Sequence, residues 1–417
     1  MSEQAATTDE ASKTPAPGTG HAGQTFLVGD EIYIRAVETG DNKFGVSWKD
    51  TIFPKSTEWY ETWIKEKMVK EKRRATYIIL RKRDDVPVGS IRTRRQDPLT
   101  QIDHWIDPLY GERGQLWLAE ALGLAIPWLV DEQHRPLVRT RVAANQDAAI
   151  TQLNALGARQ IARFREAEKT WGGRADVLVF EYLNRQWVER LGDPNDVSFE
   201  RSGSGEGRPV PPPIELSSDP PLNAVRVGPR VYLRPFERKD APLAARWSRQ
   251  EPDANWDSGR FMYSTAGYEV WNEGLQKEDP QKFVRFAACL RENDELIGMV
   301  GIEHIDYLHR TAETESIMHR ADHRGGGYGT EAKHLLFDYA FNTLNLHALR
   351  SVVIFPNTRS AAALRKQGYQ EAGRMHWHFP ANGYFENFIC FDLLASEWRS
   401  MPRASMNGVL AEEEGAR

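Results

Sequence analysis

The chain contains one short pattern twice. It reads Glu31-Ile-Tyr-Ile-Arg-Ala-Val-Glu-Thr-Gly-Asp41 in the first half and Arg230-Val-Tyr-Leu-Arg-Pro-Phe-Glu-Arg-Lys-Asp240 in the second half. Both copies are typical of a strand that runs into a turn and a helix. A repeat of this kind indicates a duplicated domain, so the chain is predicted to build the same fold twice.

A segment rich in glycine and proline lies between the two copies. It holds Gly203, Gly205 and Gly207 and then a run of prolines, which is typical of a flexible stretch followed by a stiff one. A chain of 417 residues also exceeds what one hydrophobic core usually serves. We therefore predict a disordered leader over 1–24, a first domain over 25–191, a linker over 192–224, a second domain over 225–400 and a flexible tail over 401–417.

The two halves show the same order of predicted elements. Each has two strands joined by a charged turn, over Ala75–Leu80 and Pro87–Thr93 in the first half and over Phe283–Leu290 and Leu296–His304 in the second. A further strand and a long amphipathic helix follow, the helix covering Leu116–Val130 or Gly329–Phe341. A closing strand, helix and hairpin complete each half, with the last strands of the chain near Glu371–His378 and Phe385–Leu393. The predicted fold class is α/β (α+β), with a central mixed, mostly antiparallel sheet flanked by helices in each copy.

Composition excludes several classes of function. The two cysteines, Cys289 and Cys390, cannot form a disulfide framework or a thiolate zinc cluster, and their apolar surroundings are typical of buried residues. A net charge of −5 supplies no basic field for nucleic acid. No apolar run is long enough to span a membrane, and the N-terminus lacks the features of a signal peptide. We expect a cytoplasmic protein with no nucleic-acid or membrane partner.

No metal site is expected. His376 and His378 alternate on a predicted strand, but no carboxylate or cysteine stands near them in the sequence. We interpret them as exposed strand residues or substrate contacts. Trp256, Tyr263 and Tyr268 lie between the first helices of the second half, where aromatic rings can clamp a cationic amine, although such residues more often belong to a core.

The segment that carries chemistry is Arg324-Gly-Gly-Gly-Tyr-Gly-Thr-Glu-Ala332, between a predicted strand over Glu313–Met318 and a helix. Glycines there let backbone N–H groups approach a ligand closely, and a helix N-terminus adds partial positive charge. The segment therefore predicts an anion site. The spacing excludes a P-loop, because the first lysine is Lys333 within the helix, and it does not match the dinucleotide-binding fingerprint.

The segment resembles the pyrophosphate motif of the GNAT superfamily of N-acetyltransferases, Gln/Arg-x-x-Gly-x-Gly/Ala. The surrounding residues resemble the RimJ/RimL-like branch, which reads RGxGYGTEA at this place, and the segments Leu349–Ser360 and Lys366-Gln-Gly-Tyr369 resemble it too. The resemblance covers the whole second half and implies acetyl-CoA as co-substrate. It implies a cofactor-binding set of Met318, His319, Arg324, Gly325, Gly326, Gly327, Tyr328, Gly329, Thr330 and Asn357.

The resemblance also implies direct transfer, in which a neutral amine attacks the thioester carbonyl while a base takes its proton. Backbone N–H groups of the splayed fourth strand would bind the thioester oxygen. The family often has a glutamate at the position of Glu313, and Glu315 shares its face by strand alternation. We expect Glu313, and after it Glu315, to serve as the base. The alternative is that both are edge charges that solvate a strand.

One position departs from the family pattern. The usual general acid is a tyrosine, and Leu364 stands in its place. In the RimL-like branch a serine can serve instead, which makes Ser360 the candidate, while the alternative is that Ser360 is a helix N-cap. Asn357 is expected to hold the pantetheine arm or the strand end, or else to be a plain loop residue.

The first half resembles a degenerate copy. Alignment of Glu120 with Glu331 places Arg113-Gly-Gln-Leu-Trp-Leu118 on the glycine segment, so Leu116 and Leu118 replace the two key glycines. Branched side chains there would block the close approach of phosphate oxygens to the backbone. We expect this half to bind coenzyme A poorly, unless Gly111 and Gly114 form a shifted loop.

The sequence therefore predicts an acyl-CoA-dependent N-acyltransferase that acetylates a primary amine, either a protein N-terminus or a small molecule. One alternative is a non-catalytic sensor or interaction module that binds coenzyme A. Another is a transferase with a larger donor, such as succinyl-CoA or aminoacyl-tRNA, the latter disfavoured by the lack of a basic bias. The tandem copies are expected to pack as an intramolecular pseudo-dimer, or the chain to form a homodimer.

Overall fold

The structure is a computed structural model that divides into two compact units. It describes residues 27–43, 55–68, 70–71, 73–96, 98–170, 172–191, 221, 223–248, 264–278, 280–319, 323–355, 357–381 and 384–401. The first unit comprises Met1–Thr140, Gln146–Arg159 and Tyr182–Asn184, and the second comprises Arg141–Asn145, Gln160–Glu181 and Arg185–Arg417.

The first unit is a run of antiparallel strands that ends in one parallel pair. In their order across the sheet, the strands are β1 (Leu27–Val28), β2 (Ile32–Ala36), β3 (Arg74–Arg81), β4 (Val86–Gln96), β5 (Leu99–Ile106) and β6 (Leu137–Ala143). The parallel pair is β5 with β6. The helices are α1 (Thr57–Trp63), α2 (Gly111–Pro127) and α3 (Asp147–Ala155). The sequence predicts the start of this helix at Leu116, whereas α2 begins earlier, at Gly111. Leucines rather than glycines stand at positions 116 and 118, so no glycine interrupts the helix there.

The second unit holds the larger share of the described chain. Its strands are β7 (Arg159–Thr170), β8 (Gly173–Leu183), β9 (Arg226–Val227), β10 (Val231–Pro235), β11 (Val284–Leu290), β12 (Leu296–Asp306), β13 (Thr311–Met318), β14 (Ala348–Ile354), β15 (Gln370–Ala381) and β16 (Tyr384–Leu394). Its helices are α4 (Arg185–Leu191), α5 (Ala241–Ser248), α6 (Thr265–Gln276), α7 (Tyr328–Asp338), α8 (Thr358–Lys366) and α9 (Ala395–Ser400).

The strands of the second unit follow the order β8-β7-β15-β16-β14-β13-β12-β11-β10-β9. Neighbouring strands with a described register are antiparallel, except that β13 and β14 run parallel. This mixed, mostly antiparallel sheet with flanking helices confirms the predicted fold class. The central helix α7 buries apolar side chains at the spacing of one helix face against these strands: Ala332, Leu335, Leu336 and Phe337 are fully or almost fully buried.

Each unit fixes the turn after its repeated pattern with one bidentate ion pair. In the first unit, Arg35 donates to both carboxylate oxygens of Asp41 at 2.8 and 2.7 Å. In the second unit, Arg234 donates to both oxygens of Asp240 at 2.7 Å. All four side chains are buried, so the fork geometry holds the strand end and the helical turn together.

Each unit also ties its long helix to the start of its repeated strand through a glutamate. Glu120 on α2 accepts the backbone N–H of Glu31 at 3.0 Å. Glu331 on α7 accepts the N–H groups of Arg230 and Val231 at 2.7 and 2.8 Å. The alignment of these two glutamates, inferred from the sequence, thus corresponds to equivalent hydrogen bonds.

The hairpin of β7 and β8 lies within the second unit. The predicted first domain covers 25–191, whereas Gln160–Glu181 packs with strands of the second half. Ala162 pairs with Gly373 on β15, and Ile161, Phe164 and Val179 join an apolar cluster with residues of β15 and β16. A nonlocal strand pairing of this kind leaves no signal in local sequence patterns.

Polar contacts reinforce the hairpin. Arg165 donates to Asp392 at 2.8 Å and to Glu397 at 2.7 Å. His376 Nδ1 lies 2.9 Å from a carboxylate oxygen of Glu181, and both side chains are buried. The expectation that His376 is an exposed strand residue was therefore wrong, because its partner comes from a distant part of the chain. The side chain of His378 lies outside the described residues.

The remaining general expectations concern cysteines and membrane spans. The side chains of Cys289 and Cys390 are both buried, as predicted from their apolar surroundings. Within the described part of the chain, no helix has the length and apolar character needed to cross a membrane.

Replacement of Arg165 by alanine tests the hairpin contact. The change removes the guanidinium that pairs with Asp392, which is 2% exposed, so the free energy of unfolding should fall by about 3–5 kcal/mol. Urea unfolding of the full chain measures this loss. Arg163→Ala is the matched control on the same strand. Its partner Asp176 lies at 2.5 Å, but the arginine side chain is 47% exposed, so the loss should stay below about 1 kcal/mol. Equal losses would contradict the assignment of a buried anchor to Arg165.

Candidate active site

Strands β13 and β14 diverge part of the way along the sheet. They pair in parallel from Thr311 with Ala348 to Glu313 with Arg350, and that ladder ends there. Strand β13 then continues to Met318 and stays paired with β12 on its other side. Backbone groups of β13 beyond Glu313 therefore have no ladder partner on β14, although the Ser351 hydroxyl of β14 still donates to the carbonyl oxygen of Thr314 at 3.1 Å.

The glycine segment follows β13 and adopts conformations that side chains disfavour. Gly325 has φ of +84° and Gly327 has φ of +88°. Gly327 is the N-cap of α7, and no side chain caps this helix end. An added Cβ at Gly325 would meet no atom within 4 Å. The turn therefore needs its glycines for backbone conformation, and the space beside Gly325 is open.

Two arginines hold the turn from opposite sides. Arg324 donates to the carbonyl oxygen of Met318 at 2.9 Å and to that of His319 at 3.2 Å. Arg230 donates to the carbonyl of Gly326 at 3.0 Å and to Glu331 at 3.0 Å, and its guanidinium lies 4.4 Å from the Tyr328 ring centre. The carbonyl oxygens of Met318, His319 and Gly326 thus accept hydrogen bonds from arginine side chains.

The start of α7 fits an anionic group. The first N–H groups of a helix have no partner within the helix, and here no side chain caps them. They point out of the helix end, where the macrodipole favours negative charge. The arrangement is suited to bind a diphosphate through backbone N–H groups, as the glycine motif predicts. Gly329 and Thr330 form the first turn, and a Cβ at Gly329 would lie 3.0 Å from the Met318 side chain.

His319 lies at the end of β13, beside this turn. Its ring stacks on Trp247 of α5 with a centroid distance of 4.1 Å. Burial, together with the positive charges of Arg324 and Arg285, lowers the pKa of His319 to about 3. The imidazole is therefore neutral at physiological pH. It lies beside the turn, where the cofactor is predicted to bind.

Glu313 occupies the last paired position before the strands diverge. Its carboxylate lies 3.5 Å from Arg350 on β14 and 3.9 Å from His304. The side chain is 23% exposed. The Glu313 carboxylate thus has a cationic neighbour and some contact with solvent.

Glu315 lies two residues further, on the same face of β13 and beyond the divergence. It forms an ion pair with Arg285 of β11, and the Arg285 guanidinium lies 3.8 Å from the ring centre of Trp271. Gly301 on β12 lies between them, and a Cβ there would come within 2.6 Å of a Glu315 oxygen. The absence of a side chain at Gly301 therefore makes room for this pair.

Glu303 is a site residue that the sequence analysis missed. It lies on β12 directly opposite Glu313, and its carboxylate is 3.6 Å from Arg285. The carboxyl groups of Glu303 and Glu315 lie on the same face of the sheet, and both lie beside the guanidinium of Arg285. In the sequence, Glu303 is recognisable only as a residue of a predicted strand. Its position opposite Glu313 depends on how β12 pairs with β13.

Burial and the neighbouring carboxylate have opposite effects on the two members of this pair. Burial first, and then the charge of Glu315, raise the pKa of Glu303 to about 9. Burial is the largest effect on Glu315 and would raise its pKa, but the charge of Arg285, hydrogen bonding with Glu303 and Arg285 and the charge of Lys333 together lower it. At neutral pH the pair therefore holds one proton, on Glu303.

Lys333 approaches β13 from helix α7. Its ammonium nitrogen donates to the carbonyl oxygen of Glu315 at 3.1 Å, and the side chain is 1% exposed. Burial lowers the pKa of Lys333 to about 7, against the opposing effect of Glu315, Glu303 and Glu313. A titrating cation thus lies next to the strand on which the candidate base stands.

The helix cap considered for Ser360 is made by Asn357. Asn357 is the N-cap of α8, and its side chain accepts the backbone N–H of Ser360 at 3.1 Å. The expectation that Ser360 caps the helix was therefore wrong, since Ser360 stands three residues inside it. Leu364, at the usual tyrosine position, is buried in the core.

Some residues considered for the acceptor side take no part in this arrangement. Tyr268 is buried in an apolar cluster with Phe236 and Met299. Trp256 and Tyr263 lie outside the described residues. Among the residues that the structure describes, no group of three or more His, Cys, Asp or Glu side chains is placed to hold a metal ion.

The corresponding part of the first unit has a different local structure. Arg113–Leu118 lies inside helix α2, which begins at Gly111. Leu118 is buried, whereas Leu116 is 51% exposed. In a continuous helix the backbone N–H groups beyond the first turn bond to carbonyls within the helix, so they are not available to phosphate oxygens.

Comparison with known proteins places the second half among acetyltransferases. A family model for an acetyltransferase (GNAT) domain matches residues 230–370. The uncharacterized N-acetyltransferase p20 of Bacillus licheniformis is 33% identical over 170 residues, which cover 40% of this chain and 95% of that protein. The spermidine N(1)-acetyltransferase of Escherichia coli (strain K12) is 30% identical over 166 residues, which cover 38% of this chain and 83% of that protein.

A solved structure shows a weaker similarity. The spermidine N-acetyltransferase of Vibrio cholerae in complex with CoA and spermine is 23% identical to this chain. The match covers 41% of this chain and 98% of that chain, with a TM-score of 0.36.

Gly327→Asp tests the glycine turn. The left-handed backbone at φ of +88° disfavours a side chain, and a carboxylate there adds negative charge at the predicted diphosphate site. Affinity for coenzyme A, measured by isothermal titration calorimetry, should fall at least about tenfold, which corresponds to about 1.4 kcal/mol. Gly274→Ala, inside helix α6 with no atom within 4 Å of the new Cβ, is the control and should leave the affinity unchanged. Unaltered binding by Gly327→Asp would contradict the predicted site.

Proposed function

Because the chain belongs to the acetyltransferase (GNAT) family, we propose that its second unit transfers an acetyl group from acetyl-CoA to a primary amine. The protein is an N-acetyltransferase, and the finer assignment concerns the acceptor and the residues that act. The observation that carries the proposal is the uncapped, arginine-held glycine turn beside the divergence of β13 from β14. This geometry offers a diphosphate site and a gap between strands in one place.

The co-substrate fits the turn by its charge and its shape. The diphosphate of acetyl-CoA would take the N–H groups of Gly327–Thr330, with Arg324 and Tyr328 shaping the turn. The pantetheine arm would lie along β13 in the gap, next to Met318. Asn357, at the opposite wall of the gap, keeps its side chain engaged as a helix cap and so would fix that wall.

The reaction joins the amine nitrogen to the acetyl carbonyl carbon and breaks the bond from that carbon to sulfur. The amine must lose a proton as the new bond forms, which requires a base on the acceptor side. Glu315 is the better-placed candidate, because it lies beyond the divergence, while Glu313 lies where the strands still pair. The sulfur leaves with its electron pair as a thiolate and takes its proton from Ser360 or from water. The Ser360 hydroxyl is not used in the helix cap, because the cap bond engages its backbone N–H.

The acceptor is proposed by chemical class. Spermidine N(1)-acetyltransferases of Escherichia coli and Vibrio cholerae are among the relatives, at 28–30% identity. Carboxylates at Glu313 and Glu315 favour a cationic amine on that side of the sheet. Both a small polyamine and a protein α-amino group meet this description, and the RimJ/RimL-like resemblance favours the latter.

The first unit is proposed to be a degenerate copy of the second. The equivalent bonds Arg35 to Asp41 and Arg234 to Asp240 support a duplication. The continuous helix over Arg113–Leu118 supports a loss of cofactor binding. The buried, free cysteines support a reducing compartment, and we propose the cytoplasm.

An amine panel tests the proposed activity. The full chain should release free thiol from acetyl-CoA when offered spermidine, or a peptide with a free α-amine, or both. Glu315→Gln should reduce kcat about 100-fold or more, as expected for loss of a general base, while affinity for coenzyme A stays unchanged. Thiol release is followed with a chromogenic disulfide reagent.

Controls separate the enzyme from a sensor. Leu116→Asp, in the first unit, should leave the activity at the wild-type level, while Gly327→Asp abolishes it. Binding of coenzyme A with no thiol release on any amine would refute the transferase proposal and support a sensor.

A further inference from the structure

Glu303 faces the same side of the sheet as the candidate base. It lies opposite Glu313 on β12, in the row next to that of Gly301 and Glu315. Residues directly opposite in an antiparallel pair project to the same face, and so do residues two apart on one strand. The Glu303 side chain is 26% exposed, so it is partly shielded from water.

Arg285 lies between the two carboxyl groups. It forms an ion pair with Glu315 and stands 3.6 Å from Glu303, and its guanidinium is covered by Trp271. The aromatic ring limits the movement of the guanidinium, so the arginine has a fixed place relative to both carboxyl groups. Three residues lie in one row across β11, β12 and β13: Arg285, Gly301 and Glu315. Gly301 has no side chain, and the ion pair of its two neighbours fills the space above it.

One cation serves two carboxyl groups at this place. If both were ionised, two negative charges would lie beside the single guanidinium of Arg285, which is unfavourable in a partly buried site. A single proton resolves this conflict: the protonated member donates to the ionised member, and the ionised member keeps the arginine. Arg285 lies closer to Glu315 than to Glu303, which favours Glu315 as the ionised member and Glu303 as the protonated one.

We propose that Glu303 is a positioning residue of the transferase site, a neutral carboxylic acid whose O–H donates to Glu315 and holds that carboxylate towards the acceptor amine. This inference rests on the proposed function of the second unit. Glu303 itself does not touch the reacting atoms. Its hydrogen bond and the Arg285 ion pair together fix the Glu315 carboxylate, and leave its other lone pairs for the proton of the amine.

Glu303 keeps its proton during the acetyl transfer, and the protons of the reaction still balance. The amine nitrogen forms a bond to the acetyl carbon and gives one proton to Glu315, and the carbon–sulfur bond breaks to release a thiolate. The thiolate takes up a proton from Ser360 or water, and Glu315 returns its proton to solvent after the amide leaves. Glu303 keeps its O–H throughout, so an amide group in its place can supply the same hydrogen bond.

The other charged groups around the pair set its behaviour with pH. Glu313 lies opposite Glu303 on β13, Arg285 stands on β11, and Lys333 reaches the Glu315 carbonyl from α7. Burial raises the pKa of Glu303 from an ordinary 4.5 to about 9, so the folded chain holds a proton between these values that the unfolded chain lacks. The free energy of unfolding contributed by this group therefore falls as pH rises through that window.

Two substitutions separate hydrogen bonding from charge. Glu303→Gln keeps a donor to Glu315 but cannot ionise, and Glu303→Ala removes the donor. We expect kcat of Glu303→Gln to stay within about threefold of wild type at neutral pH, and kcat of Glu303→Ala to fall about tenfold or more. The KM for acetyl-CoA should not change in either variant. Glu292→Gln, on the exposed turn between β11 and β12, removes one carboxylate elsewhere and should change neither value.

A stability profile tests the proton on Glu303 without any activity. Urea unfolding from pH 5 to 9 is measured for wild type, Glu303→Gln and Glu292→Gln. Wild type should lose stability relative to Glu303→Gln across this range, while Glu292→Gln follows wild type. Identical profiles for wild type and Glu303→Gln would overturn the proposal, because Glu303 would then be ionised in the folded chain.

The outcomes also distinguish this inference from the proposed function. A wild-type protein that acetylates no amine refutes the transferase function, and the stability profile alone then decides whether Glu303 is the protonated partner. An active wild type with equal losses of kcat in Glu303→Gln and Glu303→Ala overturns the positioning role, since the retained donor should preserve the rate.

Discussion

The buried carboxylate of Glu331 is the contact on which the site depends. It accepts two backbone N–H groups at the start of β10 and the guanidinium of Arg230, and it is fully buried. Arg230 in turn holds the carbonyl of Gly326. The first turn of α7 is therefore fixed to the far edge of the sheet, and the glycine turn has little freedom to close. Loss of one partner would leave several polar groups unsatisfied in a region without water.

The two sides of β13 serve different parts of the proposed reaction. On the α7 side lie the glycine turn and Lys333, and on the other side lie Glu313, Glu315 and the partners of Glu315. The strand itself separates from β14 beyond Glu313, so backbone groups become available between these two sets. A parallel pair that opens within an otherwise antiparallel sheet thus brings a cofactor site and a proton acceptor to the same few residues.

The sequence predicted what is encoded locally. The glycine turn is visible in the sequence because the positive φ angles at Gly325 and Gly327 require glycine, and the fold class follows from the order of strands and helices. Glu303 was missed because its role arises from the register of β12 against β13, and His376 was placed wrongly because Glu181 is its partner. Both depend on pairings between distant segments. The cap at Asn357 was misassigned to Ser360 by three residues, since both residue types cap helices and only the backbone geometry decides.

The placement of β7 and β8 has a consequence for how the chain is made. Arg165 and its partner Asp392 are separated by 227 positions, so a ribosome releases the hairpin long before the strand that it contacts. During that interval the apolar face formed by Ile161, Phe164 and Val179 has no cover from β15 and β16. Newly made chains are therefore exposed to aggregation until synthesis nears its end, and a slow translation of the second half would prolong that period.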